Sequence, residues 1–148
     1  MPNKQNQLFV FVKGNKGIGG FEITDTNFEP KHSDVVESQT DEPAISMDRR
    51  AIESSLEYIK ANRGKNSIPS NPVIYIFTTF ENNYHVVIGD KESKSEKSKI
   101  FMEKLNKLKN DFKRPGIGNN DEVKCYWIPK NFHNCMEDVN QLLKKKKH

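Results

Sequence analysis

Leu8-Phe9-Val10-Phe11-Val12-Lys13-Gly14-Asn15-Lys16-Gly17-Ile18-Gly19-Gly20-Phe21-Glu22-Ile23-Thr24 is the stretch from which the fold is read. Leu8–Val12 and Phe21–Thr24 are short runs of strand-forming residues, with Gly14, Gly17, Gly19 and Gly20 between them. Glycine admits positive φ and close backbone approach, so the stretch predicts a hairpin of two core strands. The remaining elements are expected to pack on that sheet.

Before the hairpin, residues 1–7 are expected to form a flexible tail, leaving 8–148 as a single domain. After it, Thr26–Pro43 is polar, and Val35-Val36 marks either a third strand or part of a loop. The spacing predicts a helix over Ser46–Asn62, with Ser46 as its cap and Asp48 in the first turn. Ile52, Leu56 and Ile59 would form its apolar face, and Gly64 follows its end. Pro72–Phe80 is the strongest strand, apolar enough to be covered on both faces. Asn82-Asn83 could turn into a strand Tyr84–Ile88, which local propensity favours over a short helix there. Ser93–Asp111 predicts a second long helix with Phe101, Leu105 and Leu108 as its stripe. A Gly/Asn loop over Pro115–Asn120 leads to a strand Val123–Ile128, ended by Pro129. The last helix is expected over Asn134–Lys147, with Asn134 and Glu137 as a capping box and Met136, Val139 and Leu143 inward. A hairpin followed by helix–strand alternation implies an α/β mixed sheet with helices on its faces.

The whole chain has 148 residues, 34% hydrophobic and 30% charged, which suits one polar globular domain. No apolar run approaches the roughly 20 residues of a membrane span. The N-terminus lacks a signal-peptide core, so an intracellular, cytoplasmic protein is expected. Cys125 and Cys135 are too few for a disulfide scaffold, and no His/Cys spacing suggests zinc. Both read as small buried groups, and His32, His85 and His133 as isolated surface or core-edge residues. The net charge of +4 permits a polyanionic partner without requiring one. The glycine-rich turn lacks the Gly-Lys-Ser/Thr ending of a phosphate loop, so hairpin geometry explains it better.

The element order, with the local motifs, resembles type 1 ribonuclease H. That family opens with a strand ending in Asp-Gly-Ser and a Gly-rich turn; here stand Lys13-Gly14-Asn15 and Gly17-Ile18-Gly19-Gly20. Its first helix carries a Glu in a pattern like Asn-x-x-Glu-x-x-Ala, matched here by Ser46-Met47-Asp48-Arg49-Arg50-Ala51. Its fourth strand ends in Thr-Asp-Ser, against Ile76-Phe77-Thr78-Thr79 here. Its Trp-Val-Pro-Gly-His and Asn-Glu-x-x-Asp patterns correspond to Tyr126-Trp127-Ile128-Pro129-Lys130-Asn131 and Asn134-Cys135-Met136-Glu137-Asp138. Each motif is short and altered; their joint order and spacing over residues 8–145 carry the resemblance. It implies a ribonuclease H-like mixed five-stranded sheet with helices on both faces. It also favours a helix at Tyr84–Ile88 and a third strand before Ser46.

Enzymes of that family resemble two-metal nucleases, in which four carboxylates hold two divalent ions. Carried over, the family positions are Lys13, Asp48, Thr78 and Asp138, with the family's loop His near Asn131 and His133 displaced from it. Lys13 brings an ammonium where a metal ligand belongs, and an ion pair to Asp48 or Asp138 would fill the cluster. The resemblance therefore implies a degenerate metal site without a cofactor, Mg being required only if the nuclease alternative holds. The plainer reading of Asp48, Glu137 and Asp138 is helix-start acids, and Thr78 and Thr79 suit any strand.

The leading expectation is a non-catalytic module binding nucleic acid, RNA or an RNA–DNA hybrid, through a basic helix. Lys91, Lys94, Lys97, Lys99, Lys104 and Lys107 would contact phosphates. Aromatic stacking partners are not evident in the sequence, so backbone shape would be recognised. The alternatives are a scaffold subunit of a ribonucleoprotein, viral or mobile-element assembly, and a nuclease rearranged around Asp25, Asp48 and Asp138. In the scaffold reading, Thr26–Pro43 and the tail would be the contact segments. A deaminase-like fold shares some element order but its zinc motifs are missing here.

Overall fold

The computed structural model describes residues 6–89, 95–112, 123–129 and 134–146. Its strands are β1 (Gln7–Asn15), β2 (Ile18–Thr24), β3 (Pro30–Glu37), β4 (Val73–Thr78) and β5 (Val123–Trp127). Its helices are α1 (Ala44–Ala61), α2 (Glu81–Ile88), α3 (Glu96–Asn110) and α4 (Asn134–Lys146). The sheet order is β3-β2-β1-β4-β5, antiparallel among β1, β2 and β3 and parallel from β1 through β4 to β5. A mixed sheet of this kind follows from a meander feeding α/β crossovers.

Strand alternation separates two cores. Leu8, Val10, Val12, Ile74 and Ile76 face Ile52, Leu56 and Ile59 of α1 and Phe101, Leu105 and Leu108 of α3. Phe11 and Ile18 face Val139 and Leu143 of α4 on the opposite side. Helices thus cover both faces, and the apolar stripes of α1, α3 and α4 are those the spacing predicted. Met136 lies outside the described side chains.

Several expectations are corrected. The hairpin strands run longer than their apolar cores, because Gly14, Gly19 and Gly20 are inside the ladder and only Gly17, at φ +77°, occupies the turn. A Cβ at Gly14 would overlap the Ala44 carbonyl oxygen and the Asp48 nitrogen, and one at Gly19 would overlap the Met47 carbonyl oxygen. These glycines seat the first turns of α1 directly on the hairpin. α1 begins at Ala44 behind Pro43, so Ser46 is not its cap, and its first turn holds no acid. Asp48 lies in the second turn and is fully buried. The third strand is formed, over Pro30–Glu37 rather than Val35-Val36 alone. Glu81–Ile88 is a helix, against local propensity and with the resemblance. It is pinned by packing of Val86 and Val87 and closed by Gly89 at φ +77°. α3 is capped by Ser95, whose side chain accepts from Ser98 N, rather than starting at Ser93, which lies outside the described residues. On β4, Tyr75 and Phe77 are half-buried, so only the α1 side is fully covered.

Candidate nucleic-acid interface and the buried acidic cluster

At the end of β1 the chain assembles a buried polar cluster. Gly14 lets α1 approach, and α1 projects Asp48 against the end of β4. Asp48 Oδ2 accepts a 2.7 Å hydrogen bond from Thr78 Oγ1 and a 2.8 Å bond from Asn83 Nδ2. Asn83 is itself fully buried; its Nδ2 also donates to the Ile45 carbonyl at 3.1 Å, and its Oδ1 accepts from Arg49 Nε at 2.8 Å. Arg49 continues to Ser98 Oγ on α3 at 3.0 Å and lies over the Phe101 ring. The network therefore ties α1, β4, α2 and α3 together.

Burial pushes the Asp48 carboxyl up to about 6, against the pull of its Asn83 and Thr78 bonds and of the Lys13 and Arg49 charges. Its Oδ1 is buried with no hydrogen-bond partner among the described residues. Lys13 stands at the end of β1, largely buried, opposite Gly20. Thr78 faces α1. The alternation carried one residue further turns Thr79 to the Lys13 face, where its hydroxyl is buried without a partner among the described residues.

A second acidic group lies on the α4 side of the sheet. Glu22 of β2 adjoins Asp138 of α4 in a cleft that Ser33, Val139 and Gln141 also line. Burial first, then the Asp138 carboxylate, pushes Glu22 up to about 7. The structure thus brings Lys13, Asp48 and Thr78 to one end of the sheet, while Asp138 pairs with Glu22. Asp25 is held elsewhere: its Oδ1 accepts from Asn27 N at 2.8 Å and Glu29 N at 3.0 Å in the β2–β3 turn. The register places that turn near Phe9, at the far end of β1 from Lys13, so Asp25, Asp48 and Asp138 do not converge. Among the described residues no group of three His, Cys, Asp or Glu is placed to hold a metal ion.

The lysines of α3 divide by helical position. Lys104 pairs with Glu53 at 3.2 Å and Glu57 at 3.6 Å on α1. Lys97, one heptad earlier on the same stripe, lies toward Glu42. Lys99 and Lys107 are exposed; Lys99 lies on the other side of the helix, and Lys107 lies one turn beyond Lys104. Lys109 donates to the Val87 carbonyl at 2.9 Å. Lys91, Lys94, Asn131 and His133 lie outside the described residues. His85 sits 3.4 Å from Glu81, and His32 stacks on Tyr58 at 3.7 Å, which bears out their core-edge reading. Cys125 is a buried free thiol, pushed up by desolvation.

Sequence reading missed Asn83, Arg49 and Glu22. An asparagine in a polar dipeptide reads as a turn, and only the short helix α2 turns it inward. An acid alternating with apolar residues in a core strand was the available signal for Glu22.

No family model matches the chain, and neither does any curated protein. Solved structures do. LC11-RNase H1, isolated from compost and solved in complex with an RNA/DNA hybrid, is 17% identical, with a TM-score of 0.72 over 95% of this chain and 99% of that one. RNase H1 from the archaeon Halobacterium salinarum is 11% identical, with a TM-score of 0.66 over 94% and 98%. The N-terminal RNase H domain of a Mycobacterium tuberculosis protein is 9% identical, with a TM-score of 0.66 over 90% and 95%. The chain has the ribonuclease H-like fold. Among the described residues no helix is long and apolar enough to cross a membrane.

Proposed function

We propose that this chain is a ribonuclease H-like module that binds nucleic acid, RNA or an RNA–DNA hybrid, and does not cut it by a two-metal route. The observation that carries this reading is the arrangement around Asp48. Two divalent ions need several anionic oxygens free to turn toward them. Here the Asp48 oxygen that faces its neighbours is taken by Thr78 and Asn83, and the ammonium of Lys13 adds positive charge beside it. Asp138 is directed to Glu22, which holds a proton near neutrality. A threonine hydroxyl and an ammonium are poor replacements for two carboxylates, so this donor set does not fit the metal pair.

Binding is supported by the fold shared with a hybrid-bound RNase H1 and by the net charge of +4. The contact residues in this reading are Lys97, Lys99 and Lys107 of α3, together with Lys91 and Lys94 of the sequence reading. Lys104 contributes less, because Glu53 and Glu57 already neutralise it. Such contacts recognise phosphate geometry and weaken steeply with salt.

The test is an end-labelled RNA–DNA hybrid incubated with the pure protein and Mg²⁺, run on paired native and denaturing gels. A shifted band with intact RNA is expected. Cut RNA that chelator abolishes would overturn the non-catalytic half. No shift at low salt would overturn binding and favour the scaffold reading.

A further inference from the structure

Phe11, Phe77 and Tyr126 sit on adjacent strands, paired in register across β1, β4 and β5. Their rings are nearly parallel: Phe11 and Phe77 lie 5.0 Å apart at 15°, and Phe77 and Tyr126 lie 5.6 Å apart at 22°. Exposure rises along this stack from none at Phe11 to 46% at Tyr126. Two features leave its end open. α4 packs on β1, β2 and β3, and β5 is the edge of the sheet. Among the described residues, Tyr126 therefore has aromatic neighbours on its β4 side and none on its other ring face. Lys124, two residues earlier on the same face, is exposed, with its ammonium 5.4 Å from the Tyr75 ring.

We propose that Tyr126 and Lys124 form a site for one unpaired nucleotide, whose base extends the Phe11–Phe77–Tyr126 stack and whose phosphate meets Lys124. This inference rests on the nucleic-acid reading above and names a strand form it does not specify. Every base offers a π-face, and aromatic rings stack on bases without sequence preference. Two residues of strand separate the ring from the lysine, about 6.6 Å, a span that a nucleotide's base and phosphate bridge. A paired base, stacked on both sides within a duplex, has no free face to offer. An apolar protein partner would gain nothing from the ammonium beside the ring, whereas a phosphate is complementary to it.

The experiment is fluorescence anisotropy of the full chain with a labelled uridine oligomer and, separately, a blunt RNA–DNA hybrid. Tyr126→Ala is expected to weaken oligomer binding about tenfold and Tyr126→Phe to leave it unchanged. Lys124→Ala should weaken it and lower the salt slope by about 0.7. Hybrid affinity should stay within about twofold in every variant, because the duplex does not use the site. Lys124→Ala carries the test if Tyr126→Ala does not fold. Hybrid binding without oligomer binding, or oligomer binding indifferent to both Tyr126→Ala and Lys124→Ala, overturns this inference and leaves the reading above standing. Failure to bind either probe overturns both. Oligomer binding unchanged while Tyr126→Ala dissolves a dimer in sedimentation would assign the ring to protein contact instead.

Discussion

Thr78 Oγ1 donates a 2.7 Å hydrogen bond to Asp48 Oδ2, joining the end of β4 to α1 with both residues fully buried. The same oxygen accepts from Asn83, and Thr78 Oγ1 accepts in turn from Phe80 N at 3.1 Å. The Asp48 carboxyl group is here a structural acceptor between α1, β4 and α2.

That role needs an oxygen more than a charge. Asp48→Asn keeps an acceptor for Thr78 without the buried charge and is expected to be at least as stable as the parent chain at neutral pH. Asp48→Ala strands two buried donors and should cost about 3 kcal/mol. Urea denaturation distinguishes them; equal losses would mean that the charge itself carries the site.

Stability should fall as pH rises from about 4.5 to 7.5. Asp48 goes from 3.8 to about 6 on folding and Glu22 from 4.5 to about 7, so the folded chain binds more protons than the unfolded chain across this range. Their stabilisation is complete below the unfolded values and lost as pH passes the folded ones. For Asp48 the loss is about 3 kcal/mol. Glu42, held down by Arg50, acts in the opposite sense and only at lower pH. Urea midpoints across pH should decline; Asp48→Asn should flatten the lower part of the slope and Glu22→Gln the upper. A midpoint that climbs over this range would contradict the burial argument.

Lys13 lowers the proton affinity of Asp48. Lys13→Met should therefore raise the Asp48 titration midpoint above about 6. Carboxyl-carbon NMR of the variant reads this directly, and a midpoint unchanged or lowered would show that the ammonium does not act on Asp48.

Gly14 and Gly20 should differ in tolerance. A methyl at Gly14 meets backbone of α1 that cannot move aside, so Gly14→Ala should cost about 3 kcal/mol or abolish folding. At Gly20 it meets the Leu143 Cδ2 methyl at 2.9 Å, a side-chain end that can rotate, so the cost should be about 1 kcal/mol. Thermal melts of the two variants settle the order.

Lysines on α3 should separate by partner. Lys99→Ala and Lys107→Ala should each lower the salt slope of hybrid binding by about one phosphate contact. Lys104→Ala should leave the slope unchanged and alter stability by less than about 1 kcal/mol, because its exposed pairs with Glu53 and Glu57 are weak. Equal slopes for all three variants would argue against neutralisation of Lys104 by Glu53 and Glu57.

The helices were legible where apolar spacing was regular: Ile52, Leu56 and Ile59 in α1, and Phe101, Leu105 and Leu108 in α3, all turn inward as read. Helix starts were less legible. Ser46 has the chemistry of a cap, yet Pro43 precedes a helix that begins earlier, because close packing on Gly14 and Gly19 fixes where α1 starts. Tyr84–Ile88 carries strand-forming residues, but burial of Val86 and Val87 outweighs a propensity worth only tenths of a kcal/mol per residue. Of the candidate site, the resemblance supplied the positions Lys13, Asp48, Thr78 and Asp138, but nothing local in the sequence supplied their partners.

By itself, then, the amino-acid order determined the hairpin, the α/β alternation and the inward stripes, since these depend on periodicities of two and 3.6 residues within one segment. Only the tertiary structure decided that Asp48 is sealed by Thr78 and Asn83, that Glu22 meets Asp138, and that Phe11, Phe77 and Tyr126 form one stack. Those contacts join residues far apart in the chain. Their distances follow from strand register and from how closely α1 and α4 approach the sheet, quantities that no local pattern encodes.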